Sequence, residues 1–148
     1  MPPINLMNTL ANPFVKLLAR SPLHNLMDEK VVLITYTGRK SGKANTVPVN
    51  YLLVDKTLHV ISLRNRNWWR NLKGGASVEV LLKGKKQSAW AVLVEDQQKI
   101  AEELDLLFRH DPKYAHYLKI HLNENGIPDP KELLESAINR VAVIIKFS

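Results

Sequence analysis

Between residues 31 and 94 short apolar runs alternate with turn residues, the pattern of strands joined by tight connections. Val31–Thr37 and Val47–Val54 read as buried strands, and Asp55 and Lys56 make a short turn into a third, Thr57–Leu63. Ser77–Leu82 sets Val78, Val80 and Leu82 against Ser77, Glu79 and Leu81, after which Gly84 turns the chain into Lys85–Val94. Val141–Phe147, apolar at nearly every position, predicts a sixth strand with both faces covered.

Helical spacing occupies the rest. From Ile4 to Ala19, apolar Leu6, Leu10, Phe14, Leu17 and Leu18 recur one turn apart, with Lys16 and Arg20 at the carboxyl end where cations oppose the helix dipole, so an amphipathic N-terminal helix is expected. Asp96–His110 turns Ile100, Leu104, Leu107 and Phe108 to one side. Pro112 opens a second helical stretch whose Tyr114 and Tyr117 share a face. Asn123–Pro130 reads as a loop, and Pro130 suits the first turn of another helix. Most connections within residues 31–94 are too short for parallel crossovers, so the sheet should be antiparallel and curl into a small barrel with helices outside. The expected class is α+β: a split antiparallel β-barrel of about six strands.

At 148 residues and 45% hydrophobic content the chain suits one domain, residues 1–148. It has no cysteine, which removes disulfides, thiolate chemistry and sulfur-ligated zinc. His24, His59, His110, His116 and His121 show no ligand spacing, so no metal site is expected, and no G-x-S-x-G elbow marks a serine hydrolase. The formal net charge of +7 implies an acidic partner. No recognisable nucleic-acid-reading helix or strand accompanies that charge, so nucleic acid is not the expected one. No apolar run reaches the roughly 18 residues of a membrane span, and Asn5, Asn8 and Asn12 interrupt the N-terminal apolar segment, unlike a signal peptide; a cytoplasmic protein is expected.

The most informative stretch is the glycine-bounded basic loop Gly38-Arg39-Lys40-Ser41-Gly42-Lys43 between two strand-like runs. Gly38 and Gly42 permit backbone angles closed to other residues, so successive N–H groups can converge while Arg39, Lys40 and Lys43 supply charge and Ser41 a hydroxyl. This is the chemistry of a phosphate cradle, although a hairpin turn of the same composition also serves solubility alone. It is not a Walker loop, because Ala44 follows Lys43 and a strand comes next. A second unusual stretch, Arg64 to Gly75, sets Trp68 and Trp69 among Arg64, Arg66, Arg70 and Lys73, aromatic plates beside cations that suit a flat anionic ligand. Neighbouring helical residues point about 100° apart, so at most one of the two indoles should face a ligand and the other the core.

Taken together, Leu33 to Lys43, then Thr46-Val47-Pro48-Val49, then Trp68-Trp69-Arg70-Asn71-Leu72 resemble the deazaflavin-dependent nitroreductase family of split β-barrel oxidoreductases, over most of residues 30–95. The resemblance implies that Gly38, Arg39, Lys40, Ser41, Gly42 and Lys43 hold the phosphate of coenzyme F-420 (8-hydroxy-5-deazaflavin). It further implies that Thr46, Val47, Pro48 and Val49 run beside the ring system, and that Trp68, Arg70 and Asn71 border the same cleft. Tyr114 and Tyr117 resemble the tyrosines that cover the substrate, and a phenol protonated at neutral pH could donate the proton that accompanies hydride transfer. The segment before Trp68 is shorter here than in typical members, with only Arg64 to Asn67 intervening.

The expected function is a deazaflavin-dependent oxidoreductase that passes hydride from the reduced coenzyme to a small-molecule electron acceptor, quinone-like or nitroaromatic. A homodimer is implied, because cofactor clefts of such barrels usually form between subunits. Two alternatives share the fold: an oxidoreductase with FMN in the same loop, and a non-enzymatic protein that takes a fatty acid into the barrel cleft and touches the membrane peripherally through its N-terminal helix and basic Arg64 to Lys73 segment.

Overall fold

The structure, a computed structural model, describes residues 31–112, 115, 116 and 118–148. The expected helix over Ile4–Ala19 and the expected substrate tyrosines, Tyr114 and Tyr117, lie outside the described residues.

Among the described residues seven strands form one antiparallel sheet: β1 (Val31–Thr37), β2 (Ala44–Asn50), β3 (Leu52–Val54), β4 (Thr57–Leu63), β5 (Ala76–Leu82), β6 (Lys85–Val94) and β7 (Arg140–Phe147). Their order is β2-β1-β5-β6-β7-β4-β3. β2 and β3 are therefore the two edges of the sheet, yet only Tyr51 separates them in the chain. That connection bends the sheet until its edges meet at one corner, which is how an open seven-stranded sheet becomes a split barrel.

The continuous strand expected over Val47–Val54 is thus two strands. Asn50 pairs with Val31 in the last described pair between β2 and β1. The chain crosses at Tyr51 and Leu52 resumes pairing with His59 of β4. Pro48, which has no N–H to give a ladder, is tolerated because β2 is an edge. Tight hairpins set the remaining register: Asp55 and Lys56 (φ 48° and 64°), and Lys83 and Gly84 (φ 50° and 77°), place both central residues in the left-handed region that matches strand twist.

The barrel interior is filled by alternate residues of the strands, such as Val32 and Ile34 of β1, Val78 and Val80 of β5, and Val141 and Val143 of β7. Trp68, Trp69 and Leu72, from a short 3-10 turn over Trp68–Leu72, join the same cluster. Among the described residues two helices pack outside. Helix α1 (Gln97–His110) starts at Asp96, whose carboxylate accepts the Lys99 N–H at 3.0 Å, and buries Ile100, Leu104, Leu107 and Phe108 as its periodicity predicts. Helix α2 (Pro130–Ala137) is capped by Asp129 and has Pro130 in its first turn. They cover Ile61 of β4 and Ala142 of β7, so β7 is buried on both faces and its uninterrupted apolar sequence is explained. Trp90 and Val92, on the outer side of β6, remain about half exposed.

Candidate cofactor site

The β1–β2 connection closes on itself through its backbone. The Gly38 N–H donates to the Lys43 carbonyl and the Gly42 N–H to the Gly38 carbonyl, both at 2.8 Å. Gly42 sits at φ +69°, where a side chain is strained. At Gly38 the constraint is space, because a Cβ there would stand 2.6 Å from Ser41 Oγ. Ser41 Oγ accepts the Lys43 N–H at 3.1 Å and the Asn45 amide donates to the Lys43 carbonyl at 3.0 Å, so side chains as well as backbone hold the loop. Among the described residues no hydrogen bond takes up the Lys40 or Ser41 N–H.

The sequence places the loop and the 3-10 turn far apart, and the fold brings them together. The Arg39 backbone N–H donates to Asn71 Oδ1 at 3.0 Å, and the Arg39 guanidinium donates to the Lys73 carbonyl. The Asn71 amide nitrogen in turn donates to the Trp68 carbonyl at 3.0 Å, so one carboxamide ties the loop to the turn.

Both tryptophans are interior, where one had been expected to face a ligand. Trp68 donates its indole N–H to Ser62 Oγ at 3.0 Å and lies against Tyr36, ring centroids 6.3 Å apart. Trp69 is sealed from solvent, and its ring is flanked by Arg70, whose Cζ lies 4.6 Å from the centroid, and by Lys73 Nζ at 5.9 Å. The turn is short and close to the barrel mouth, so both indoles fit into the core and the cations alone face outward. Burial pushes the Tyr36 phenol above its ordinary value, which keeps it protonated.

Arg39, Lys40, Lys43, Arg70 and Lys73 therefore share one end of the barrel. Among the described residues the carboxylate paired with this group is Glu95, 3.9 Å from Lys73 Nζ. Five cations with one carboxylate among them, two N–H groups without a partner among the described residues and a hydroxyl around glycine backbone fit the acidic tail of a phosphate-bearing cofactor.

Thr46, Val47, Pro48 and Val49 lie on β2 as expected. Its side away from β1 pairs with no strand among the described residues. Val47 and Val49 turn toward the barrel core, whereas Thr46 shares a face with its partner Thr35, hydroxyl oxygens 2.8 Å apart. That face continues in register from Thr35 to Glu79 and on to Ser88. Glu79 is 7% exposed, and Lys86 Nζ stands 2.7 Å from its Oε1 as its ion-pair partner. Thr35, Glu79 and the Lys73 carbonyl were not anticipated from sequence. Only strand register and the meeting of loop and turn reveal them.

Comparison with known proteins bears on the same residues. The profile of the family described as F420H(2)-dependent quinone reductase matches residues 20–121, over half of the chain. No curated protein matches it in sequence. Among solved structures, a Listeria innocua protein assigned as a pyridoxamine 5'-phosphate oxidase superposes with a TM-score of 0.52 at 14% identity, covering 85% of this chain and 90% of that one. A chain described as a domain-swapped dimer gives 0.52 at 19% identity, over 96% and 100% of the two chains. An F420-H2 dependent reductase gives 0.50 at 22%, over 80% and 96%. At these identities the likenesses establish the split-barrel fold. With the family match across the loop, the turn and the strands between them, the chain belongs to the F420H(2)-dependent quinone reductase family and is a deazaflavin-dependent oxidoreductase.

Proposed function

We propose that the loop from Gly38 to Lys43 and the cations of the Trp68–Leu72 turn hold the acidic tail of coenzyme F-420, and that Thr46, Val47, Pro48 and Val49 lie along its ring system. Reduced deazaflavin supplies a hydride when bound. The protein's own tasks are then placement, exclusion of water and delivery of a proton to the acceptor. Lys40, Ser41 and Lys43 bind the tail, Arg70 adds charge from the turn, and Trp68 and Asn71 fix the turn behind it. Tyr114 or Tyr117 would give the proton. The acceptor is a quinone-like or nitroaromatic small molecule.

The observation that carries this reading is the junction of Arg39 with Asn71 and Lys73, which assembles two basic segments of sequence into one anion-binding end. A barrel interior packed with side chains tells against the alternative that places a fatty chain inside it. The likeness to a chain described as a domain-swapped dimer supports a homodimer. No helix among the described residues is long and apolar enough to cross a membrane, and a cytoplasmic location is proposed, with peripheral membrane contact left to the basic end.

Fluorescence titration with oxidised coenzyme F-420 tests the site. Each charge-assisted hydrogen bond contributes about 1.5–3 kcal/mol, so Lys40→Ala with Lys43→Ala should weaken binding at least tenfold, by about 1.4 kcal/mol or more. Unchanged affinity would remove the loop from the site. Anaerobic mixing of the reduced coenzyme with a naphthoquinone, followed by recovery of deazaflavin absorbance, tests the acceptor class.

A further inference from the structure

Arg39, by charge and position the obvious phosphate ligand of the loop, is already engaged at both ends. Its backbone N–H is taken by Asn71 Oδ1 and its guanidinium by the Lys73 carbonyl. The neighbouring Lys40 and Ser41 N–H groups have no partner among the described residues. Ser41 Oγ accepts from the Lys43 N–H, which leaves its own hydrogen free to donate. The Asn71 carboxamide is likewise spent, on Arg39 through its oxygen and on the Trp68 carbonyl through its nitrogen.

We propose that Arg39 and Asn71 are positioning residues and not ligands: together they clamp the loop so that the Lys40 and Ser41 N–H groups, the Ser41 hydroxyl and the Lys40 and Lys43 ammonium groups converge on the anion. This rests on the cofactor reading above and divides its residues into those that touch the tail and those that shape the loop.

The division has a physical basis. A six-residue loop with glycine at two positions has many conformations of similar energy, and convergent N–H donors need one of them. Gly38 and Gly42 close the loop on itself but do not orient it against the barrel. The tie to Asn71 does, because Asn71 belongs to a turn whose indoles are locked in the core. A guanidinium is suited to the task, since its planar fork donates to a carbonyl in a defined direction while its charge still favours an anion nearby.

The two roles separate in the protein without cofactor. Amide hydrogen exchange is measured on the free protein for Arg39→Met, Asn71→Leu, Asn71→Asp and Lys40→Met. A clamp requires the backbone amide at position 39, which donates to Asn71 Oδ1, to exchange at least tenfold faster in Arg39→Met and in Asn71→Leu than in the parent. Asn71→Asp keeps an oxygen for the Arg39 N–H and should restore slow exchange of that amide. Lys40→Met should leave that amide as in the parent.

Titration with oxidised coenzyme F-420 then completes the assignment. Arg39→Met combined with Asn71→Leu should weaken binding no more than the stronger single change, because both act through one structure. Lys40→Met should both weaken binding and flatten its dependence on salt, as removal of a direct charge contact does. Parent-like exchange in Arg39→Met together with additive losses of affinity would make Arg39 a ligand and overturn the proposal. Unchanged affinity in Lys40→Met combined with Lys43→Met would instead sink the cofactor reading of the loop, whatever Arg39 does.

Discussion

Gly75 lies directly beneath the indole of Trp90: a Cβ built on the glycine would stand 2.6 Å from Trp90 Cζ2. Gly75 also has φ +91°, so any side chain there meets both the ring and an unfavourable backbone conformation. Gly75→Ala should therefore cost about 1–3 kcal/mol, from left-handed strain of roughly 1–2 kcal/mol plus displacement of the ring. Urea unfolding gives the loss, and Trp90→Leu in the same background should recover the part due to the clash. If Gly75→Ala unfolds at the same midpoint as the parent, Trp90 is not held on this backbone.

His59 Nδ1 and Glu103 Oε2 are 2.6 Å apart, and both side chains are mostly shielded. Glu103 is partly shielded beside its exposed neighbour Glu102. It is the point at which α1 grips β4, and a double-mutant cycle between His59→Ala and Glu103→Ala should give a coupling of about 1–2 kcal/mol. A coupling within error of zero would show that apolar packing alone docks the helix.

The loop before α2 carries a pH-dependent contact. Glu132 accepts both the His121 backbone N–H at 2.9 Å and its ring nitrogen at 2.6 Å. The hydrogen bond to Glu132 and its charge raise His121 above its ordinary 6.5. The His121 backbone N–H, then its ring, hold Glu132 below its ordinary 4.5. For the histidine, raised on folding, the stabilisation is fully present below 6.5 and disappears as pH rises through the higher folded value. For the glutamate, lowered on folding, it is present above 4.5 and disappears as pH falls through the lower folded value. The contact should thus be strongest between pH 4.5 and 6.5. Slow exchange of the His121 amide within that window, and faster exchange above it, would be the signature. A pH-independent protection factor would contradict the pairing.

At Gly42 the space beside the α-carbon is open and only the backbone angle is demanding. Gly42→Asn should be tolerated far better than Gly42→Val, because asparagine visits the left-handed region and a β-branched residue resists it. At Gly38 the order of cause is reversed, since Ser41 Oγ and Asn45 Nδ2 crowd the site. Gly38→Ala should open the loop and weaken coenzyme F-420 binding, and Ser41→Gly should relieve that crowding enough to restore slow exchange of the Gly42 amide. Equal affinities for Gly42→Asn and Gly42→Val would show that the left-handed turn is dispensable.

Local pattern alone determined much of this protein. β4 and β6 begin and end where the pattern of apolar and turn residues places them, and α1 starts at the aspartate that caps it. The basic loop was legible because glycine and charge mark a turn and its chemistry without reference to any distant residue. What lay beyond reach were relations between segments. The strand break at Tyr51 is where the chain passes from pairing with β1 to pairing with β4, a change of partner that no periodicity within Val47–Val54 records. Arg39 meets Asn71 across 32 residues, and His59 meets Glu103 across 44, only because sheet order brings their elements together. Both tryptophans entered the core for a similar reason: a hydrophobic side chain next to cations reads as a ligand platform until the barrel mouth it fills is known. Periodicity reports which face of an element is buried. Which elements share that burial, and so which polar groups must satisfy one another, follows from how the curled sheet closes.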